Sequence, residues 1–389
     1  MAGPLQKLPA SGPGRYFRWA SMVLAFAALA LNVAACWKVY RHEPLREAAS
    51  RSLLASSSRF FYDSGPAEPL PVFLLKVPMA LGADPDAALR LEGLAAYCLL
   101  TVVTFFTLRR LYGETAGVMG ALFLAANPYA GYYAVQGDSH LYALLFLVPF
   151  WYYVFSPPTG RRGALLGGLF AGLACLSRLD AAWAVLIMTG VRLATGRKAA
   201  DLRDAALTLG LALLLVLPYL AVQKAKYGSP LYAQQLALRR WDNVDRYGYT
   251  KGAPYGAGPL GVTAFLLRKG PAGAMQDSFN GLGRAFAYEV PRVIYYSLLF
   301  VPAFLGIYAA FALKHDAILF FLAAALLPVL PLAGIKQVLP TGGIELRYYL
   351  WTLWALCALA GLGFQSAMEW VESRYGPGGG AAKDKGRSK

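Results

Sequence analysis

The 389-residue chain is poor in charge: Asp, Glu, Lys and Arg make up only 15% of it, and 57% is hydrophobic. An ordinary soluble domain carries about 25% charged residues. So few polar side chains cannot cover a folded surface in water, which excludes a soluble protein and leaves one that faces lipid. Cysteine is also scarce. The four thiols, at 36, 98, 175 and 357, all fall in apolar runs, which argues against a disulfide scaffold and against zinc-type ligand spacing. Acidic residues are outnumbered 21 to 37 by basic ones, giving a net charge of +16. Aromatics at 14% argue against disorder. No Walker loop, G-x-S-x-G elbow, H-E-x-x-H pair or strand-linked G-x-G-x-x-G is present, so nucleotide hydrolysis and the common soluble hydrolase chemistries have no support.

What the sequence does have is long apolar stretches. A helix needs about 20 mostly apolar residues to cross a bilayer. Charge-free runs of that kind occupy 19–37, 93–108, 115–137, 139–160, 205–222, 293–313, 317–335 and 348–368. The stretch 163–191 is apolar except for Arg178 and Asp180 near its middle. As one helix it would be roughly 44 Å long, well past a hydrocarbon core of about 30 Å.

Charge sorting chooses between one helix and two. Broken at Arg178–Asp180, the stretch gives ten spans with both termini on one side. Seventeen cations then lie in the short segments of that side, and three (Arg178, Lys336, Arg347) in the short turns of the other. Cations gather on the cytoplasmic side, so the two-helix reading places both termini there and accounts for most of the +16 as orientation rather than nucleic-acid binding. The expectation is an all-α polytopic membrane protein of about ten helices in an inner (plasma) membrane. Its parts are a cytoplasmic tail 1–18, a membrane core 19–222 with a first outer loop 38–92, a large outer loop 223–292, C-terminal spans 293–368 and a basic cytoplasmic tail 369–389. Val33-Ala34-Ala35-Cys36 has the look of a lipoprotein cleavage box, but a chain with later spans already has its anchor, so the first run reads as an uncleaved helix.

Acidic groups at membrane depth are costly and tend to be functional. Glu43 and Glu47 follow the first span. Asp138 occupies a tight turn between two apolar helices, where it also suits the N-cap of the helix from Ser139. Asp180 has Arg178 as its nearest partner. Two of the three histidines, His42 and His140, stand beside these acids. In the first outer loop, residues 45–54 have helical spacing, and 69–81 form an apolar piece too short to span, which reads as interfacial or re-entrant.

These features fall in an ordered series. His42-Glu43 is followed by Arg46-Glu47-Ala48-Ala49. Glu68-Pro69-Leu70 leads to Gly82 and then to Ala87-Ala88-Leu89-Arg90-Leu91. Next come Asn127-Pro128, Asp138-Ser139-His140-Leu141-Tyr142-Ala143, Gly172-Leu173-Ala174 with Ser177-Arg178, Tyr227-Gly228-Ser229-Pro230, and Glu345-Leu346-Arg347-Tyr348. The series resembles the GT-C superfamily of polytopic glycosyltransferases, most nearly the bacterial relatives of protein O-mannosyltransferases and lipid A aminoarabinose transferases. Two residues depart from the family pattern: His42 stands where the first acid of a D-E pair is expected, and His140 where an arginine is expected.

The resemblance implies transfer of a sugar from a polyprenyl-phosphate donor to an acceptor hydroxyl of a lipid, glycan or protein. No cofactor or nucleic-acid partner is expected, and no metal site, since a Glu/Asp/His site would need three of these side chains to converge. It implies Glu43 as base, or Glu47 in its place, with Asp138 as second acid. His42, Glu47, His140, Arg178, Lys336, Arg347 and Tyr348 would handle the substrates, with Arg347 and Lys336 near the phosphate. A flippase or transporter, or a glycolipid-binding accessory subunit, is the alternative; no repeat symmetry between halves favours a transporter. Single cysteines placed at 161–162 and in 192–204 should react with a membrane-impermeant maleimide from the same side of sealed vesicles. Labelling from opposite sides would refute the two-helix reading.

Overall fold

The computed structural model of the protein describes residues 15–45, 48–155, 161–196, 199–248, 250, 252–313, 315–335 and 346–375. Among the described residues there are helices and turns and no strand. The first part of the chain forms α1 (Arg15–Tyr40), α2 (Ala48–Ser57), α3 (Pro69–Ala80), α4 (Pro85–Tyr112), α5 (Glu114–Ala125), α6 (Pro128–Val135), α7 (Ser139–Phe155), α8 (Arg161–Ser177), α9 (Ala181–Gly196) and α10 (Ala199–Tyr227). After it come α11 (Tyr232–Tyr247), α12 (Val262–Leu266), α13 (Gly270–Arg284), α14 (Val290–Ile294), α15 (Phe300–Ala312), α16 (Ala317–Leu326), α17 (Leu330–Ala333) and α18 (Leu350–Tyr375).

Four helices are by themselves long and apolar enough to cross a membrane: 19–40 in α1, α4, 201–227 in α10, and 346–374 around α18. A bent pair, 270–294 and 297–312, passes the same test together, and five further apolar helices are shorter. The protein is thus an all-α, multi-pass membrane protein. The run 93–108 extends to a helix of 28 residues, because Asp84 caps its start by accepting from the Ala87 amide at 2.8 Å and Pro85 stands in the first turn. The stretch 163–191 is two helices, α8 and α9, broken at residues 178–180 as charge sorting required.

Other expected spans are broken. The run 115–137 divides at Asn127 into α5 and α6. Asn127 caps α6 by accepting from the Ala130 amide at 3.0 Å, ahead of Pro128. Its side-chain amide donates to the carbonyls of Val293 and Ile294 at 2.9 and 3.1 Å. The Asn32 amide of α1 donates to the Asn127 and Ala125 carbonyls at 2.9 and 3.0 Å. One broken span is therefore tied to two distant elements, and the backbone groups freed by the break find partners. The run 293–313 breaks at Tyr295, where φ is 65°, and the chain bends there by 111°. The run 317–335 divides into α16 and α17.

The core centres on α18, buried along most of its length. α15 and α5 meet it through glycines: a Cβ on Gly306 would lie 1.8 Å from the Leu359 carbonyl oxygen, and one on Gly363 2.0 Å from that of Pro302. Small residues that let backbones approach are how helices associate in lipid. Trp151, Phe321 and Trp354 pack together beside them, with both indole N–H groups hydrogen-bonded, to Ala317 O at 2.8 Å and to Thr104 Oγ1 at 2.9 Å. α2 and α3 form a smaller apolar cluster of their own on the start of α4, around Ala55, Val72, Leu75, Ala88 and Leu89. Gly306→Val should destabilise the protein by about 3 kcal/mol, the upper part of the usual overpacking range, because the obstacle is backbone. An unchanged melting temperature in detergent would refute this packing.

Candidate active site

The turns 136–138 and 178–180, the start of α3, the end of α1 and the start of α18 all lie at the same end of the bundle. The first turn is shaped from within. Gly137 has φ 63°, and Gly93 of α4 lies so close that a Cβ there would stand 2.1 Å from the Ala134 carbonyl oxygen. Two buried arginines hold the turn. Arg51 donates to the Gly137 carbonyl at 2.8 Å, and Arg90 donates to the carbonyls of Val135, Tyr40 and Glu43.

On this support Asp138 is buried and three-handed. Its Oδ1 accepts from the His140 amide at 2.8 Å, the expected N-cap bond, and lies 2.7 Å from His140 Nδ1. Its Oδ2 is 3.5 Å from the Arg347 guanidinium. Burial alone would raise the Asp138 carboxyl, but His140, Arg347 and Arg178 outweigh it and hold the group well below the usual carboxylate range. His140 packs its ring edge-on to Tyr348, centroids 5.0 Å apart, and its carbonyl accepts from the Trp351 indole at 3.0 Å.

At the second turn Arg178 grips Asp180 through two nitrogens, Nε at 3.0 Å and Nη2 at 2.7 Å, the pairing expected for these neighbours. Its Nη1 reaches across to Ser139 Oγ at 3.1 Å and so joins the two turns. Asp180, like Asp138, is held below the usual range: burial opposes its ionisation, and Arg178 more than compensates. Glu68, at the start of α3, accepts from the Leu179 amide at 3.1 Å and from the Gln234 side chain of α11 at 3.4 Å. Burial pushes its carboxyl up, with Arg178 opposing.

α11 roofs this cluster. Gln234 reaches Glu68 on one side, and Trp241 packs edge-on to Tyr348 on the other, centroids 5.5 Å apart. The two residues are seven positions apart, so the contacts stand about 10 Å from one another along the helix. The roof is itself tied down. Buried Arg268 donates to Asp245 of α11 and Asp277 of α13, both at 3.1 Å. Farther along, Asp63 pairs with Lys226 of α10.

Of the residues the sequence pointed to, Asp138, His140, Arg178, Arg347 and Tyr348 come together here. Glu43 and His42 are exposed just after α1. His42 accepts from Arg41 at 2.9 Å, and Glu43 touches the cluster only through its carbonyl on Arg90. Glu47 and Lys336 lie outside the described residues. Sequence reasoning did not single out Glu68, Gln234, Trp241, Arg51 or Arg90 as site residues; Glu68 and Arg90 stood within quoted motifs and Trp241 ends the basic run Arg239-Arg240-Trp241 of the large outer loop, while nothing marked Gln234 or Arg51. Among the described residues no group of three or more His, Cys, Asp or Glu side chains is arranged to hold a metal ion.

The cluster thus pairs buried carboxylates with guanidiniums at one end of a multi-pass helical bundle. Residues 64–222 match the family described as dolichyl-phosphate-mannose-protein mannosyltransferase. A search of curated proteins gives no match. The matched segment carries Glu68, Asp138, His140, Arg178 and Asp180, and bears out the resemblance read from the ordered motifs. The class it supports is a membrane glycosyltransferase of the GT-C type. Asp138→Ala leaves Arg347 and His140 beside a void and should destabilise by about 3–5 kcal/mol, the cost of stranding a buried charge. Asp138→Asn keeps the cap to the His140 amide and should cost less. Thermal unfolding in detergent gives the order, and equal losses would refute it.

Proposed function

We propose that the protein moves a sugar from a polyprenyl-phosphate donor to the hydroxyl of a lipid, glycan or protein acceptor, at the outer face of an inner (plasma) membrane. Both termini lie in the cytoplasm in this reading. The observation that carries it is the convergence of Arg178 and Arg347 on one Asp138-centred cluster under α11. The family match over 64–222 supports the same donor class.

Each arginine already faces a carboxylate, so the site is close to neutral before substrate arrives, and neither cation is buried without a partner. A donor phosphodiester entering between them gains charge-assisted hydrogen bonds, which strengthen as the leaving phosphate takes on a second negative charge. Asp138 holds Arg347 and His140 in place, and Asp180 fixes the plane of the Arg178 guanidinium. Tyr348 and Trp241 offer ring faces and edges beside which a sugar can pack. Glu43, with His42 beside it, stands at the margin where an acceptor approaches. The proton of the acceptor hydroxyl must go to a carboxylate at this end of the bundle.

A transporter would carry the donor across unchanged. Purified protein in liposomes, given a radiolabelled polyprenyl-phosphate mannose and a membrane extract as acceptor, should release polyprenyl phosphate and label the extract. Arg178→Ala and Arg347→Ala should each lower the rate by about 10²–10³-fold, the usual loss for one transition-state donor. Donor that crosses the bilayer intact, with no sugar released, would refute transfer.

A further inference from the structure

We infer that Glu68 is the general base of the transfer, taking the proton of the acceptor hydroxyl. The assignment rests on the glycosyl-transfer reading above. Three observations carry it.

The first is how the carboxylate is held. Oε1 takes both the Leu179 amide and the Gln234 side chain. Oε2 takes no hydrogen bond from any other described residue, and the Glu68 side chain is half-buried rather than sealed in the core. A base needs this division, one oxygen fixed and one open. Although Glu68 precedes α3 at the N-cap position, its side chain makes no capping bond, so local helix chemistry does not account for its orientation.

The second is what surrounds it. Asp138 and Asp180 are each engaged by arginine, which makes them poor proton acceptors. Glu68 touches neither guanidinium by hydrogen bond. The charged or titratable groups that face it are Arg178 and Asp180 from the 178–180 turn and Tyr219 from α10, with Gln234 the neutral contact from α11. Its burial raises its proton affinity, with Arg178 opposing, which favours it over the two arginine-bound acids as a proton acceptor.

The third is location. Glu68 lies next to the phosphate-side arginine through Leu179 and under the same helix that covers Tyr348. Glu43 is exposed and lies outside the segment that matches the family. The family's acidic pair is incomplete in this chain, with His42 in the first position.

In the step, the acceptor oxygen bonds to the anomeric carbon as its proton passes to Glu68 Oε2. The bond from the anomeric carbon to the phosphate oxygen breaks, and its electron pair stays on that oxygen. The donor monoanion leaves as the polyprenyl phosphate dianion while the Glu68 carboxylate becomes neutral, so total charge is unchanged.

The test uses the full chain in liposomes with radiolabelled polyprenyl-phosphate mannose. Glu68→Gln keeps an oxygen for the Leu179 amide and should lower transfer at least a hundredfold, with donor retention on filters unchanged. Asp86→Asn, at an exposed acid in the first turn of α4 with no contact to the cluster, should stay within a few-fold of the parent. The parent rate should fall on acidification, as Glu68 takes up a proton. Glu68→Asp should be slower with that acid limb kept, and Glu68→Gln should have a residual rate without it. Transfer by Glu68→Gln near the parent rate, an acid limb surviving in it, or its loss in Glu43→Gln would overturn the assignment and leave glycosyl transfer standing. A parent protein that consumes no donor would overturn both.

Discussion

Ionised side chains near a bilayer are tolerated only when opposite charges or hydrogen-bond donors meet them, and this constraint shapes the whole end of the bundle. Asp138, His140, Arg178, Asp180 and Arg347 form one connected set through Ser139, in which both acids are answered. The set exists only because helices from distant parts of the sequence begin and end at one level: the 136–138 turn, the 178–180 turn, the start of α3 and the start of α18. Each break places carbonyls or amides at that level, and arginines or capping side chains satisfy them.

Glycine and asparagine make the level possible. Gly93 and Gly137 let α4 and the Asp138 turn touch backbone to backbone, and Arg51 and Arg90 then secure the turn from its other side. Asn127 caps one side of a broken span and ties it to the carbonyls of Val293 and Ile294. Polar chemistry is thereby mounted on rigid helix ends rather than on a free loop, which is what positioning of a reacting group requires.

Much of this was legible in the sequence, for identifiable reasons. The membrane class follows from composition. The break at Arg178–Asp180 follows from helix length and cation placement, and the Arg178–Asp180 pair from proximity in the chain. Asp138 as the cap of α7 was legible because its turn separates two apolar runs. Glu68 was not, because its partners are remote: Leu179 is 111 positions away and Gln234 is 166. Only the folding of α3 against α8, and of α11 over both, brings them together. The broken runs at Asn127 and Tyr295 were hidden for the opposite reason. Hydropathy stays high through each break, so a window average passes over it. Glu43 stood out because it follows a span closely, but local order carries no information about whether a side chain turns inward.

The 111° bend at Tyr295 divides the lipid-facing surface between two arms. α15 exposes Phe304, Tyr308 and Phe311, while α13, on the other arm, exposes Met275, Phe279 and Leu282. The arms therefore meet lipid at different angles, and α13 is bolted through Arg268 to α11. The roof over the cluster is thus anchored, through Arg268, to the arm that lies across the bend from α15, so the two lipid-facing arms share one fixed point at Tyr295.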